Sequence, residues 1–327
     1  ILFRGVRLIV LDEPTALLTP QESENLFEYL RTITERGCAI AFVTHKLEEV
    51  MAVADRITIL RQGRTESSMS RKGTSTQALA RLMIGETITA ESGYSECQSG
   101  ETLLELENVH ALGDLKRNAL NGVSLTVSRG EILGLAGVAG NGQRELAEVI
   151  AGLRSINKGS VRLAEEDLDG LTPIEIIRRG VAYIPEDRLG VGVVPDMSVS
   201  ENLILRDFYQ PRFSGKVFIK KKPLNDYCAD LVKNFGIKTH DIHQPVRMLS
   251  GGNIQRVILA RELSRNPILL LAVNPTRGLD IGATGFIHRL LIAQKNKGLG
   301  ILLASEDLDE LFELSDRLAV IYQGQIK

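Results

Sequence analysis

Apolar residues fall along this chain in two rhythms: short, nearly continuous runs, and longer stretches in which they return every three to four positions. The runs at 7–11, 39–43, 131–135, 268–273 and 300–304 have the length and composition of strands buried on both faces. The stretches after them read as amphipathic helices, and strands alternating with helices imply a parallel sheet covered by helices. The expected class is α/β.

The pattern also repeats. Residues 8–63 align with 269–324 without a gap at a constant offset of 261, the kind of self-similarity that defines architecture before any motif does. In this register Pro14-Thr15 matches Pro275-Thr276, Gly37 matches Gly298, Leu47 and Glu49 match Leu308 and Glu310, Asp55-Arg56 matches Asp316-Arg317, and Gln62-Gly63 matches Gln323-Gly324. Between the copies, residues 64–100 are polar and rich in Ser, Thr and Gly, with one helical pattern at 77–84 behind the capping candidates Ser75 and Thr76. The expected organisation is 1–63 as the back part of a first domain, 64–102 as a linker with a short helix, and 103–327 as a second, nearly complete domain. The chain opens on Ile1 inside a strand pattern, so the first domain is expected to lack its front.

Composition narrows the class. The 327 residues are 43% hydrophobic and 24% charged, with a formal charge of −2, which gives no electrostatic reason to expect nucleic acid as partner. The basic run Lys220 to Lys222 reads as a solvated loop. Cys38, Cys97 and Cys228 are widely spaced without metal-ligand pairing, which speaks against disulfides and zinc. No apolar run approaches the roughly 20 residues of a spanning helix, so a membrane role is expected to be peripheral.

Candidate chemistry sits at strand ends. In the first copy the strand finishes on Asp12-Glu13, and open α/β sheets place ligands at the carboxyl ends of their strands. Asp12 suits a Mg²⁺ shell and Glu13 suits polarising a water for attack on a γ-phosphate; alone, such a pair is more often a helix cap. His45 ends the next strand, within reach of the same phosphate. In the second copy the strand at 131–135 runs into Gly137-Val138-Ala139-Gly140-Asn141-Gly142-Gln143-Arg144, whose glycines have P-loop spacing. Gln143 and Arg144 stand where Lys and Ser or Thr are needed. Downstream, Leu249-Ser250-Gly251-Gly252-Asn253 opens a helix with a glycine pair that can approach an anion. The following strand ends in Val273-Asn274 in place of Asp-Glu, and Glu306 stands at the register position of His45. Glu186 stands within Tyr183-Ile184-Pro185-Glu186-Asp187-Arg188, and Asp280 lies further along.

Asp12-Glu13 with His45 resembles the Walker B and switch-histidine pair of ABC ATPases, and Ser250, Gly251, Gly252 and Asn253 resemble their signature. Glu186 falls at their Q-loop position and Asp280 at that of the D-loop. Pro185-Glu186-Asp187-Arg188 and Pro275-Thr276-Arg277-Gly278-Leu279-Asp280 are similar to the second cassette of bacterial simple-sugar importers, and Gly140-Asn141-Gly142-Gln143 is closer to their nucleoside-uptake branch. The resemblance implies tandem P-loop NTPase cassettes, ATP and Mg²⁺ as cofactors, transmembrane permease subunits as partners with a substrate-binding protein acting indirectly, and a peripheral place on the cytoplasmic face of the membrane. It also implies head-to-tail packing, with one competent site closed by Ser250 to Asn253 and one degenerate site around Gly137, Gly140, Asn141, Gly142 and Gln143, so that this chain alone is expected to hydrolyse little ATP. A soluble ribosome-associated ATPase would carry two competent sites and a long charged linker helix. A non-catalytic nucleotide sensor would leave Asp12, Glu13 and His45 unexplained.

Overall fold

The computed structural model describes residues 6–15, 18–44, 46–61, 63–84, 100–214 and 218–327. It divides into two compact units, 1–94 with 280–285, and 95–279 with 286–327.

The smaller unit contains β1 (Leu8–Asp12), α1 (Pro20–Glu35), β2 (Ala39–Val43), α2 (Leu47–Val53), β3 (Arg56–Arg61), β4 (Arg64–Ser70) and α3 (Thr76–Ile84). Strands β1 and β2 pair in parallel, Leu8 opposite Ala39 and Asp12 opposite Val43. Helix α1 begins at a capping box: Thr19 N–H donates to the Glu22 carboxylate at 2.8 Å while Glu22 N–H donates to the Thr19 hydroxyl at 3.3 Å. Part of the segment expected as linker is a strand. β4 pairs antiparallel with β3, and Leu79 of α3 packs on Ile57 and Ile59 of that hairpin. β4 escapes a hydrophobicity reading because Met69 is its one apolar residue.

The larger unit contains β5 (Thr102–Leu112), β6 (Asn118–Ser128), β7 (Ile132–Ala136), α4 (Gln143–Ile150), β8 (Lys158–Leu163), β9 (Glu166–Asp167), α5 (Pro173–Arg178), β10 (Val181–Ile184), α6 (Val199–Ile204), α7 (Lys221–Asn234), α8 (Gly251–Leu263), β11 (Leu269–Val273), α9 (Ile281–Lys295) from residue 286 onward, β12 (Gly300–Ser305), α10 (Leu308–Leu314), β13 (Arg317–Tyr322) and β14 (Gln325–Ile326). Its main sheet runs β10-β11-β12-β7-β13-β14, parallel except for the terminal hairpin, and an antiparallel sheet of order β6-β5-β8-β9 adjoins it. Both sheets and α4 share one core through residues such as Leu104, Val127, Leu135, Leu146 and Leu271. Every residue of β7, β11 and β12 is buried, as strands covered on both faces require. The order puts the carboxyl ends of β11, β12 and β7 side by side, where the site lies. The run at Lys220, expected as a solvated loop, instead starts helix α7; its three side chains are exposed, and Lys220 Nζ donates to the Pro211 carbonyl at 2.8 Å. Among the described residues no helix is long and apolar enough to cross a membrane.

Candidate functional site

The two copies share one unusual backbone feature. Glu13 and Asn274, the residues just past β1 and β11, adopt left-handed φ values of 43° and 45°. Their N–H groups donate across to the Val43 and Ala304 carbonyls at 2.8 Å each. Such a conformation costs a glutamate on the order of 1 kcal/mol or more, whereas asparagine tolerates it. The first copy therefore holds a strained carboxylate at this point, and the second has a residue suited to the turn. The preceding position is the exposed Asp12 in one copy and the buried Val273 in the other. A valine side chain has no atom that can ligate a metal.

A buried glutamate ties the loops together in both copies. Glu49 accepts from Thr15 at 2.6 Å and Thr44 at 2.9 Å, and Glu310 accepts from Thr276 at 2.7 Å and Ser305 at 2.6 Å. Each joins the turn after one strand to the end of the next. His45, the candidate switch residue, lies outside the described residues.

The turn between β7 and α4 needs its glycines. Gly140 and Gly142 have φ of 82° and 113°, and a Cβ on Gly142 would lie 2.9 Å from the Ala119 carbonyl. The polar side chains of the turn fold back on it: Asn141 and Gln143 donate to the Val138 carbonyl at 2.8 and 3.1 Å, and Gln323 N–H donates to Asn141 Oδ1 at 2.8 Å. Arg144 is engaged away from the turn by Glu148 at 2.8 Å and Asp114 at 2.6 Å, contacts that hold its guanidinium well above its ordinary pKa. The turn borders a cleft of about 190 Å³ lined by Gln143, Glu145, Glu186, Asn274, Ser305 and Glu306, among others. Asn274 Oδ1 accepts the Glu306 N–H at 3.0 Å. Sequence reasoning left the partner of Glu186 unassigned. It is Arg277, which also stands 3.8 Å from Glu306.

Ser250 caps α8, and Asn253 fixes that start. Its amide donates to Ser250 Oγ at 2.9 Å while its Oδ1 accepts from Lys238 N–H at 2.8 Å. Gly251 is exposed, and a Cβ there would meet nothing nearer than 3.8 Å, so packing inside this unit does not demand glycine at that point.

His288 was also missed. It is buried, with Glu310 3.1 Å from Nε2 and Glu313 3.2 Å from Nδ1. A carboxylate at each ring nitrogen requires both to carry protons. Burial opposes that charge, but the hydrogen bond and charge of Glu310, with those of Glu313, outweigh it and raise the pKa above the ordinary 6.5. A raised folded value means stabilisation fully present below the unfolded pKa of about 6.5 and lost as pH rises through the folded one. Thermal melts of the larger unit should therefore fall from about pH 6.5 upward, and that slope should vanish in His288→Phe, which copies the first copy's Phe27. An unchanged slope in the variant would assign it elsewhere.

Comparison with known proteins places the larger unit. Residues 120–277 match the ABC transporter family model. Over 99% of its length the chain is 44% identical to the glucose import ATP-binding protein TsgD13 of Haloferax volcanii, and over its full length 39% identical to the nucleoside import ATP-binding protein NupA of Lactococcus lactis. It spans 60% and 64% of those two relatives. Among solved structures, a nucleotide-free ATP-binding cassette from an ABC transporter aligns with a TM-score of 0.59 at 26% identity, covering 69% of this chain and 89% of that one. A dimeric cassette bound to ADP and phosphate aligns with the same TM-score at 22% identity, covering 69% of this chain and 97% of that one. The larger unit thus has the P-loop NTPase fold of ABC-type ATP-binding cassettes, and residues 120–277 match the ABC transporter family model.

Proposed function

We propose that this chain is part of the ATP-driven motor of an importer for nucleosides or simple sugars, and that its two copies divide the work of one competent site. The observation that carries this reading is the exchange of chemistry across one shared backbone register. The first copy keeps the acids Asp12 and Glu13 at the turn where the second has Val273 and Asn274, and the second keeps the glycine-paired helix start at Ser250. In a head-to-tail pair, Asp12 would hold the metal shell, Glu13 would orient the attacking water, His45 would face the γ-phosphate, and Ser250, Gly251, Gly252 and Asn253 would close over it. ATP with Mg²⁺ supplies the phosphoryl group and its charge neutralisation. The exposed Gly251, for which the unit itself has no steric need, supports an approach from outside.

The second copy's own pocket does not fit a metal-dependent reaction. Val273 offers no ligand, the Gln143 amide is turned onto Val138, and Arg144 is held by Glu148 and Asp114. Its glycine turn, with Gly137, Gly140, Asn141 and Gly142, would at most cradle phosphates. Closing around ATP would shift the population of the pair and so move permease subunits on the cytoplasmic side of a membrane, a substrate-binding protein delivering the solute. The names of the relatives support nucleosides or glucose as cargo. The test is ATP-dependent uptake of labelled nucleosides and sugars by vesicles holding the complete transporter; ATP turnover with no uptake of either class would refute the cargo assignment.

A further inference from the structure

Three carboxylates line the cleft beside the β7 turn, Glu145 of α4, Glu186 after β10 and Glu306 at the end of β12, while Arg144, which also lines it, is engaged by Glu148 and Asp114. Acids facing one cleft repel unless a cation stands between them. Arg277 pairs with Glu186 and lies 3.8 Å from Glu306. In the repeat register its counterpart is Ala16 and that of Glu306 is His45. Relative to the first copy, negative charge has moved from the end of one strand to the end of the next, and a positive charge has entered the turn between them.

The contacts continue beyond the cleft. The Arg277 carbonyl accepts from Arg188 Nη2, and Arg188 Nε donates to Gln255 Oε1 at 2.9 Å. Gln255 is fully buried in α8, and its Nε2 has no partner among the described residues. The Arg188 bond is thus the side-chain hydrogen bond described for that amide. An unbroken polar chain leads from the cleft to the helix that begins at Ser250.

We propose that Arg277 is a positioning residue that serves as a fixed internal cation between Glu186 and Glu306, bridging them as a divalent ion bridges ligands in a working site, and so holding the start of α8 in place without nucleotide. The idea rests on the cassette reading only for the role of residues 250–253.

Hydrogen exchange on the nucleotide-free complete protein tests it. Arg277→Ala should speed exchange of the amides at 185–192 and 250–256 about fivefold, the scale of a partly exposed ion-pair network, and Arg277→Lys should recover part of the loss. Mn²⁺ added to Arg277→Ala should restore protection, because the two freed carboxylates can share it, and should leave the native protein unchanged. Unaltered exchange at 250–256, or no rescue by Mn²⁺, would overturn the proposal. If Arg277→Ala loosens the whole unit, Arg277→Ala/Glu306→Gln decides: relief of the charge conflict should recover residues 185–192, and no recovery would count against the cation role. The measurement needs no turnover, so a transporter that fails to hydrolyse ATP would refute the motor reading and leave this one standing.

Discussion

Replacing Glu13 by Gln in the complete transporter should lower kcat for ATP hydrolysis by roughly a hundred- to ten-thousand-fold, the range a positioned general base contributes. Asn274→Glu at the matching turn should leave kcat within about twofold, because a carboxylate there would face Glu186 and Glu306 with no acid at Val273 to hold a metal. The backbone adds a second readout. Glu13 and Asn274 share a left-handed conformation that suits asparagine. Glu13→Asn should therefore abolish turnover, and relief of the left-handed strain should add about 0.5 to 1 kcal/mol to the stability of the smaller unit. Loss of activity with loss of stability would mean that the turn is not strained by its glutamate. Equal losses of kcat at positions 13 and 274 would refute the division of work between the copies.

The largest effect on stability is expected at Glu310. This side chain is 3% exposed, accepts from Thr276 and Ser305, and meets His288. Burial alone would raise its pKa, but the hydrogen bonds from His288, Ser305 and Thr276 prevail and lower it. Glu310→Ala leaves two hydroxyls and a protonated imidazole without their shared acceptor. Breaking a buried pair of this kind costs about 3–5 kcal/mol, which corresponds to a fall of roughly 10 °C in the melting transition of a unit this size. Calorimetry that resolves the two units should show the drop in the larger one alone. A shift of one or two degrees would mean that water replaces the carboxylate. Because the folded pKa of Glu310 lies below its ordinary value, its contribution is present above about pH 4.5 and disappears as pH falls through the folded value. With His288 failing at the alkaline end, the clamp is strongest between the two.

Much of this was legible in the sequence. The 261-residue register identified β1, β2, β11 and β12, and the same register holds in the backbone hydrogen bonds of Glu13 and Asn274. The glycine turn and the α8 start were also legible, because left-handed φ and close backbone approach restrict residue choice locally. What escaped notice depends on distance in space. Arg277 lies 91 residues from Glu186, and Glu310 lies 34 from Thr276 and 22 from His288, and no local pattern pairs them. The antiparallel sheet β6-β5-β8-β9 escaped for another reason: β5 and β6 are bulged, and their alternation of buried and exposed residues is broken at each shift of register. β4 was hidden by its polarity.

The β1–β2 pair has a practical consequence for handling this protein. Its counterparts β11 and β12 sit in mid-sheet with neighbours on both sides, whereas β1 and β2 are paired only with each other among the described residues, and Leu8, Val10 and Val43 are 58%, 66% and 51% exposed. A fragment limited to the described residues of this unit would carry both outer edges of the pair beside these aliphatic side chains, a template for any passing strand. A fragment cut to the smaller unit would be prone to precipitate in the test tube, and lysines placed at positions 8 and 10 are the simplest means of keeping it in solution.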